Sequence, residues 1–176
     1  MNGYLESCGI TDKEAALRTI DKLLKIGRDN TVQELEKLCA NVDQSDKVFF
    51  LIEGNADNQT VIDKLKVIDI DNEDFVTGRD ELFTVYNYMK EFGIPEDNIL
   101  LDLSITRGLD YYTGTVYETF LKGYESIGSV CSGGRYDDLA NNFTKQKFPG
   151  IGLSIGLSRL YYQLNEAGLL QENKEG

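Results

Sequence analysis

The chain has 176 residues with 30 acidic and 18 basic side chains, a formal net charge of −12, and 41% of its residues are hydrophobic. This composition is that of a soluble globular protein with room for one domain, or for a core with a smaller lobe, and no apolar run approaches the roughly 20 residues of a membrane span. The acidic balance excludes tight binding of nucleic acid by this chain alone, because such affinity comes largely from Lys and Arg.

Histidine and the signals for secretion are missing from the sequence. Without histidine the chain lacks the commonest general base and transition-metal ligand, so catalysis would rely on Arg, Tyr, Asp, Glu or a bound cofactor. The amino terminus has neither the basic nor the apolar stretch of a signal peptide, so we expect a cytoplasmic protein. Cys8, Cys39 and Cys131 have no CxxC spacing, which predicts buried thiols and neither a disulfide framework nor a zinc site.

The distribution of charge predicts a boundary near residue 98. Residues 1–98 contain 21 acidic and 11 basic side chains, whereas residues 99–176 contain nine and seven. We therefore expect two parts, a lobe formed by residues 1–98 and a second part formed by residues 99–176.

Helical periodicity dominates the first part, for which we predict four or five helices. Thr11, with a glutamate three residues later, is the predicted N-cap of an amphipathic helix that ends at Gly27. Thr31, again with a glutamate three residues later, is the predicted N-cap of a second helix. Helical spacing recurs at residues 61–68 and 81–93, the latter ending at Gly93.

One segment of the lobe, VFFLIE at residues 48–53, is ambiguous. Its residues have the composition of a buried strand, but a short apolar run also fits a buried helix.

After Pro95 the pattern changes to β-rich segments separated by glycine-bearing turns, which is typical of antiparallel strands. The predicted strands are residues 98–106, 115–122, 126–134 and 150–155, and the predicted helices are residues 135–143 and 156–168, the last closed by Gly168.

The segment RGLDYYTG, residues 107–114, carries the first candidate site. It places a permanent cation with a planar fork of donors beside two phenols, at a break between strands where glycine lets the backbone approach a ligand. This combination suits an anion together with a flat polar ring. The alternative is a plain strand turn, in which Arg107 pairs with Asp110 and the tyrosines are half-buried.

Two glycine-rich segments follow. In CSGGRYDDL, residues 131–139, paired glycines let the main chain form a pocket wall, and Asp137 and Asp138 fall in the predicted first turn of a helix. In GIGLSIGLSRL, residues 150–160, a strand leads into a helix whose first turn presents Arg159, so that backbone can lie under a base while the cation reaches its phosphates. Taken alone, these segments also fit a β-turn with a charged cap and close packing of a strand on a helix.

Together and in this order, the three segments resemble the second half of a histidyl-tRNA synthetase. They are similar to the family's histidine motif RGLDYYTG, to its GGRYD segment and to class II motif 3 with its closing Gly-x-x-Arg-Leu. The resemblance covers about residues 99–168, and GYLESCGI and DKLLKIG extend it more loosely over residues 1–98. It implies an α+β fold, namely the antiparallel β-sheet of the class II synthetase catalytic domain, incomplete here, with an appended helical insertion lobe.

The resemblance also implies a reaction, in which histidine is activated with ATP and transferred to tRNA(His). Arg107 would be catalytic, facing the histidine carboxylate and the α-phosphate of ATP. The implied histidine-binding residues are Arg107, Tyr111, Tyr112, Gly133, Gly134 and Tyr136, and the implied ATP-binding residues are Gly152, Gly156 and Arg159. Mg²⁺ would enter with ATP, no structural metal is expected, and the complete enzyme would be a homodimer that does not bind membranes.

The sequence departs from the family pattern in several respects. Asp138 replaces a glycine of the family, and neither motif 1 nor the arginine of motif 2 is found, since the only Arg-x-Glu, at residues 79–81, has the wrong surroundings. No anticodon-binding domain follows residue 170. We therefore expect a fragment of a ligase that is inactive alone. Two alternatives stay open: a non-catalytic paralogue, such as a regulatory subunit of ATP phosphoribosyltransferase or a ligand sensor, and a partner-binding domain that uses the acidic lobe.

Overall fold

The computed structural model describes residues 1–106, 112–138, 143–146 and 148–170, apart from the side chain of Leu24. The chain divides into two compact units, Met1–Asp110 and Tyr111–Gly176. Ile99 and Leu101, which lie beyond the predicted boundary at residue 98, are buried in the core of the first unit. The boundary at residue 98 itself stays a prediction.

The first unit is helical. Its described α-helices are α1 Asn2–Ser7, α2 Lys13–Asp21, α3 Leu23–Ile26, α4 Arg28–Glu36, α5 Val42–Ile52, α6 Asn58–Val67 and α7 Glu73–Glu91, followed by a 3-10 turn at Glu96–Asn98. Seven helices exceed the predicted four or five, because α1 is only six residues long and the predicted helix that ends at Gly27 is divided at Lys22 into α2 and α3. In the part of the chain that the structure describes, no helix is both long enough and apolar enough to cross a membrane.

The core of this unit forms where the apolar faces of six of the described helices meet, namely α1, α2, α4, α5, α6 and α7. The largest of its fully buried apolar side chains are Leu5, Ile20, Leu35, Val48 and Val61, from α1, α2, α4, α5 and α6 respectively. Burial of side chains of this size stabilises the fold by about 1.5–3 kcal/mol each. Within a single helix the buried apolar residues recur at helical spacing, as Ala16 and Ile20 do in α2, and this periodicity predicts helices from the sequence.

Both predicted N-caps were placed a few residues from the observed ones. The cap of α2 is Asp12, whose carboxylate accepts a hydrogen bond from the Ala15 N–H at 3.0 Å, and Thr11 is not the cap. Thr31 lies inside α4, where its buried hydroxyl donates to the Gly27 carbonyl at 2.8 Å. A threonine can cap a helix or bond back to the preceding turn, and the sequence alone did not distinguish these uses.

The ambiguous residues 48–53 belong to helix α5 and its C-cap, so the strand alternative is wrong. Asn41 caps this helix, its side chain accepting from the Gln44 N–H at 3.1 Å. The predicted helices at 61–68 and 81–93 are confirmed, although α6 and α7 begin earlier, after the caps Asp57 and Asn72. Gly93 follows α7 with φ +81°, a conformation that favours glycine.

The second unit contains an antiparallel sheet in the order β1-β2-β3, with strands Val116–Thr119, Cys131–Arg135 and Ile151–Ile155, followed by helix α8, Leu157–Glu166. The predicted strands at 115–122, 126–134 and 150–155 are thus confirmed in shorter form, as is the final helix. The α+β fold class is confirmed with them.

Two predicted elements are wrong. Residues 98–106 form no strand; the backbone of Ile99 and Leu101 instead bonds to the side chain of Asn58. The helix predicted at 135–143 is contradicted at its start, where Arg135 ends β2 and residues 136–138 are non-helical, while residues 139–142 lie outside the described residues.

Candidate active site

The structure places most of the predicted site residues in the second unit. Tyr112, Gly133, Gly134, Tyr136, Gly152, Gly156 and Arg159 are described there, whereas Arg107 and Tyr111 lie outside the described residues. The three strands determine which of these residues share a face of the sheet, because neighbouring residues of a strand point to opposite faces.

Tyr112 packs on the backbone of Gly134. A Cβ atom built on Gly134 would lie 2.7 Å from Cδ1 of Tyr112 and 2.9 Å from the carbonyl oxygen of Thr115, so only glycine fits without movement. The chain after Tyr112 runs beside β2, where the Thr113 N–H donates to the Arg135 carbonyl at 2.9 Å. This contact fixes the phenol ring against the sheet.

Tyr136 packs in the same manner on β3. A Cβ on Gly152 would lie 2.7 Å from both Cε1 and the hydroxyl oxygen of Tyr136, and one on Gly150 would lie 2.5 Å from its Cε2. Gly134 and Gly152 are direct partners in the register of β2 and β3, so they share a face. Tyr112 and Tyr136 therefore cover the same face of the sheet. Tyr112 lies over Gly134 and Tyr136 over Gly152, so neither glycine can be replaced by a larger residue without movement of the ring above it.

Gly133 lies on the opposite face, and there sequence reasoning missed a residue. Tyr117, the partner of Gly133 on β1, donates its hydroxyl to the Gly152 carbonyl at 3.2 Å. A Cβ on Gly133 would lie 2.0 Å from that carbonyl oxygen and 2.6 Å from the Tyr117 hydroxyl. Burial raises the pKa of the Tyr117 phenol, and the neighbouring Cys131 raises it further. The alternation of side chains along β1 places Tyr117 on one face of the sheet. Only the register of β1 on β2 identifies Gly133 as its partner.

Gly156 and Arg159 stand at the start of α8. The Gly156 N–H donates to the Val130 carbonyl at 2.9 Å, and Nη1 of Arg159 donates to the Ser129 carbonyl at 3.0 Å. A Cβ on Gly156 would meet nothing closer than 3.6 Å, so this glycine, unlike Gly152, is not required by packing. The exposed Arg159 is held to the turn that precedes β2, with its guanidinium at the helix start.

Asp137, which was predicted to lie in the first turn of a helix together with Asp138, forms an ion pair with Arg135. Nε of Arg135 donates to both carboxylate oxygens of Asp137 at 2.9 and 3.2 Å, and the Asp137 N–H donates to the Thr113 hydroxyl at 2.9 Å. Asp137 therefore closes the turn after β2 and does not begin a helix. Asp138, also predicted in the first turn of a helix, lies in the same non-helical bend.

The described residues offer no group of three or more Cys, Asp or Glu side chains that could hold a metal ion. The described side chains of the site are instead aromatic rings packed on glycine backbone, with a cation at a helix start. Backbone free of side chains beside two phenols can receive a flat ring, and a guanidinium can receive phosphate oxygens.

Comparisons with known proteins show the family to which the chain belongs. A family model described as Histidyl-tRNA synthetase matches residues 9–160. The histidine–tRNA ligases of Finegoldia magna and Clostridium tetani are 53% and 50% identical to the chain, covering 97% and 98% of it and 40% and 39% of their own length. The crystal structure of histidyl-tRNA synthetase from Nostoc sp. PCC 7120 superposes with a TM-score of 0.89 at 41% identity, over 96% of this chain and 40% of that one.

A more distant likeness concerns the fold alone. A Bacillus halodurans protein, titled an ATP phosphoribosyltransferase regulatory subunit/histidyl-tRNA synthetase, superposes with a TM-score of 0.71 at 20% identity, over 93% of this chain. The chain spans about 40% of the length of the curated relatives given above. With a family model over residues 9–160 and relatives at 50% identity or more, the chain belongs to the histidyl-tRNA synthetase family.

Proposed function

We propose that this chain supplies the histidine-binding and ATP-binding part of a histidine–tRNA ligase, which activates L-histidine with ATP and transfers it to tRNA(His). The observation that carries the proposal is the pair Tyr112 and Tyr136 on one sheet face, each seated on a glycine of β2 or β3. Relatives named histidine–tRNA ligase are 53% and 50% identical to this chain, whereas the Bacillus halodurans protein is only 20% identical to it. This difference supports the ligase over the regulatory alternative.

The roles of the residues follow the family resemblance. Arg107 faces the histidine carboxylate and the α-phosphate, while Tyr111, Tyr112, Gly133, Gly134 and Tyr136 form the histidine pocket. Gly152 and Gly156 lie beneath adenine, and Arg159 contacts the γ-phosphate. Magnesium arrives with ATP, and we expect the complete enzyme to be a cytoplasmic homodimer.

The chemistry requires no histidine side chain in the protein. Attack of the substrate carboxylate on the α-phosphorus needs alignment of the two reactants and neutralisation of the charge on the phosphate oxygens. Arginine supplies both, since its planar fork of donors can span two oxygens and stays charged at every relevant pH. The residue types of this chain are therefore adequate for adenylation.

The decisive test is a chimera in which this chain replaces the matching 40% of the Finegoldia magna ligase. We expect histidine-dependent ATP–pyrophosphate exchange from the chimera. Arg107→Ala should lower the adenylation rate by roughly 100- to 1,000-fold, as for the loss of one preorganised donor. Arg107→Lys should recover only part of the lost adenylation rate, because lysine keeps the positive charge but lacks the planar fork of donors.

The competing reading, in which Arg107 only pairs with Asp110 to hold a turn, predicts a different result. Arg107→Ala would then lower the melting temperature while the adenylation rate per folded molecule stays near that of the parent. A folded chimera without any exchange activity would contradict the proposed function itself.

A further inference from the structure

Thr106 is the residue directly before the segment RGLDYYTG, and its side chain bonds to helix α2. Its hydroxyl donates to the carbonyl of Leu17 at 2.9 Å, across 89 residues of sequence. Only 5% of Thr106 is exposed, and Leu17 packs against the core of the helical unit. A buried hydroxyl needs an acceptor, so this bond joins Thr106 to the interior of the unit and defines its position.

The stretch that leads to this anchor is held by further polar contacts. The Asn58 amide bonds to the backbone of Ile99 and Leu101 at 2.8 and 2.7 Å. Oδ1 of Asp102 then accepts from the N–H and the hydroxyl of Ser104, at 2.8 and 2.6 Å. Residues 99–106 therefore reach the segment RGLDYYTG in a defined conformation, although they form neither helix nor strand.

The anchor matters for Arg107 because consecutive residues are linked at a fixed distance. Neighbouring Cα atoms lie about 3.8 Å apart across a trans peptide, so a fixed Thr106 limits where the backbone of Arg107 can lie. A misplacement of about 1 Å in a group that aligns reactants can cost roughly 100-fold in rate. A guanidinium that must meet two phosphate oxygens at once depends on such alignment.

We propose that Thr106 is a positioning residue for Arg107, and that its bond to the Leu17 carbonyl holds the start of the RGLDYYTG segment where the guanidinium can reach the α-phosphate of ATP. The inference rests on the proposed function, in which Arg107 faces that phosphate. It gives the helical unit a part in adenylation, since α2 supplies the acceptor. The competing explanation is that the bond only stabilises the helical unit.

Kinetics of the adenylation step in the chimera described above, measured over a range of histidine and ATP concentrations, test the role of the hydroxyl. Thr106→Val keeps the shape of the side chain and removes the donor, and it should lower the adenylation rate about tenfold. The KM values for histidine and ATP should change by less than about threefold, because the lost alignment acts in the transition state. Thr106→Ser keeps the hydroxyl and should react at nearly the rate of the parent.

Thr31→Val is the matched control. Thr31 is a fully buried threonine of the same unit, and its hydroxyl also donates to a backbone carbonyl, that of Gly27 at 2.8 Å. Because Thr31 is remote from Arg107 in the sequence, Thr31→Val should lower the melting temperature much as Thr106→Val does but leave the adenylation rate per folded molecule unchanged. A purely stabilising role for Thr106 predicts that both variants leave that rate unchanged.

A double variant shows whether Thr106 acts through Arg107. In the Arg107→Ala chimera, Thr106→Val should cause no further loss of rate, whereas independent effects would multiply. If Thr106→Val fails to fold, Thr106→Ser and Thr106→Ala differ by one hydroxyl and repeat the comparison, and only the alanine variant should be slow.

Three results would overturn the inference while the proposed function stands. They are a parent-like rate in the folded variant that lacks the hydroxyl, a loss of rate in Thr31→Val equal to that in Thr106→Val, and multiplied losses in the double variant. A parent-like rate in Arg107→Ala would instead overturn the role proposed for Arg107, and this inference with it.

Discussion

Asn58 is a buried residue whose side-chain amide forms hydrogen bonds with the backbone of Ile99 and Leu101, bonds that a neighbouring strand would form in a sheet. Its Nδ2 donates to the Ile99 carbonyl at 2.8 Å and its Oδ1 accepts from the Leu101 N–H at 2.7 Å, so one amide satisfies two backbone groups. Buried backbone groups are almost always paired, and this segment obtains its partners from the first residue of α6 rather than from a sheet.

Replacing Asn58 with Leu should therefore be costly. The change keeps the volume but leaves a buried carbonyl and a buried N–H without partners, which predicts a loss of about 2–4 kcal/mol in the free energy of unfolding. Urea titration followed at 222 nm measures this, because the helical unit dominates that signal. Asn30→Leu is the control: Asn30 is exposed and makes one bond, to the Ile26 carbonyl, so we expect less than about 1 kcal/mol. Equal losses would contradict the role given to Asn58.

Tyr86 gives the helical unit a dependence on alkaline pH. Its hydroxyl donates to the Glu96 carboxylate, and this bond together with burial raises the pKa of the phenol above its ordinary value of about 10. The unfolded chain therefore ionises first. The stability that this phenol contributes is complete below pH 10 and is lost as the pH rises through the folded pKa.

We predict that Tyr86→Phe lowers the free energy of unfolding by about 1 kcal/mol at neutral pH, through loss of this hydrogen bond. Its melting temperature should then fall less steeply than that of the parent above about pH 10. Tyr88→Phe, which removes a largely exposed phenol from the same helix, is the comparison. Parallel pH profiles for the parent and Tyr86→Phe would show that the Glu96 bond does not contribute.

At the scale of elements, Gly133 and Gly156 differ in whether packing requires a glycine. Substitutions at these two positions can therefore distinguish a packing role from a role in ligand binding. Gly133→Ala would place a methyl group 2.0 Å from the Gly152 carbonyl oxygen, and the two strands would have to move apart. Such overpacking costs about 1–3 kcal/mol. Gly156→Ala meets ordinary contact distances and should leave the sheet intact.

Amide hydrogen exchange of β1, β2 and β3 measures this contrast, since far-ultraviolet dichroism would report mainly the helical unit. We expect faster exchange in Gly133→Ala and unchanged exchange in Gly156→Ala. An intact sheet also makes Gly156→Ala the suitable variant for asking whether that glycine serves ATP. Protection of Gly133→Ala equal to that of the parent would refute the packing argument.

The elements differ in how far the sequence could predict them. The apolar stripes of α2 and α4 repeat at helical spacing, so their existence was predictable, although their caps were displaced by one to four residues. Residues 98–106 carry strand-like residues, yet the backbone of Ile99 and Leu101 finds its partners in the side chain of Asn58. Asn58 lies 41 residues before Ile99 in the sequence, and no local pattern predicts its role. Tertiary contacts here override local propensity.

The candidate site was predictable in its residues but not in its arrangement. The glycines and tyrosines were identified by motif, whereas the assignment of Tyr112 and Tyr136 to one face and Gly133 to the other depends on the register of three strands. Tyr117 was missed for the same reason, since its contact with the Gly152 carbonyl exists only once β1 and β3 flank β2.

At the scale of the whole molecule, the chain should be inactive alone. It spans about 40% of the length of its curated relatives, and its one Arg-x-Glu lies within α7, where Nε of Arg79 pairs with Asp80. We therefore predict no histidine-dependent ATP–pyrophosphate exchange by purified residues 1–176, for lack of an arginine on the α-phosphate from motif 2. The chimera described above is the positive control. Exchange by the isolated chain well above a no-enzyme blank would show that the residues present suffice.

The packing of the Tyr112 ring on Gly134 and of the Tyr136 ring on Gly152 has a consequence for the NMR spectrum. At each of these glycines, one α-proton points in the direction in which a Cβ atom would meet the tyrosine ring. That proton therefore lies within reach of the ring current of Tyr112 or Tyr136. Those protons should resonate away from the usual glycine region, with a displacement set by the tilt of the ring above them. A ligand that enters between the rings would change that tilt, so two native proton signals could report occupancy of the site without any label.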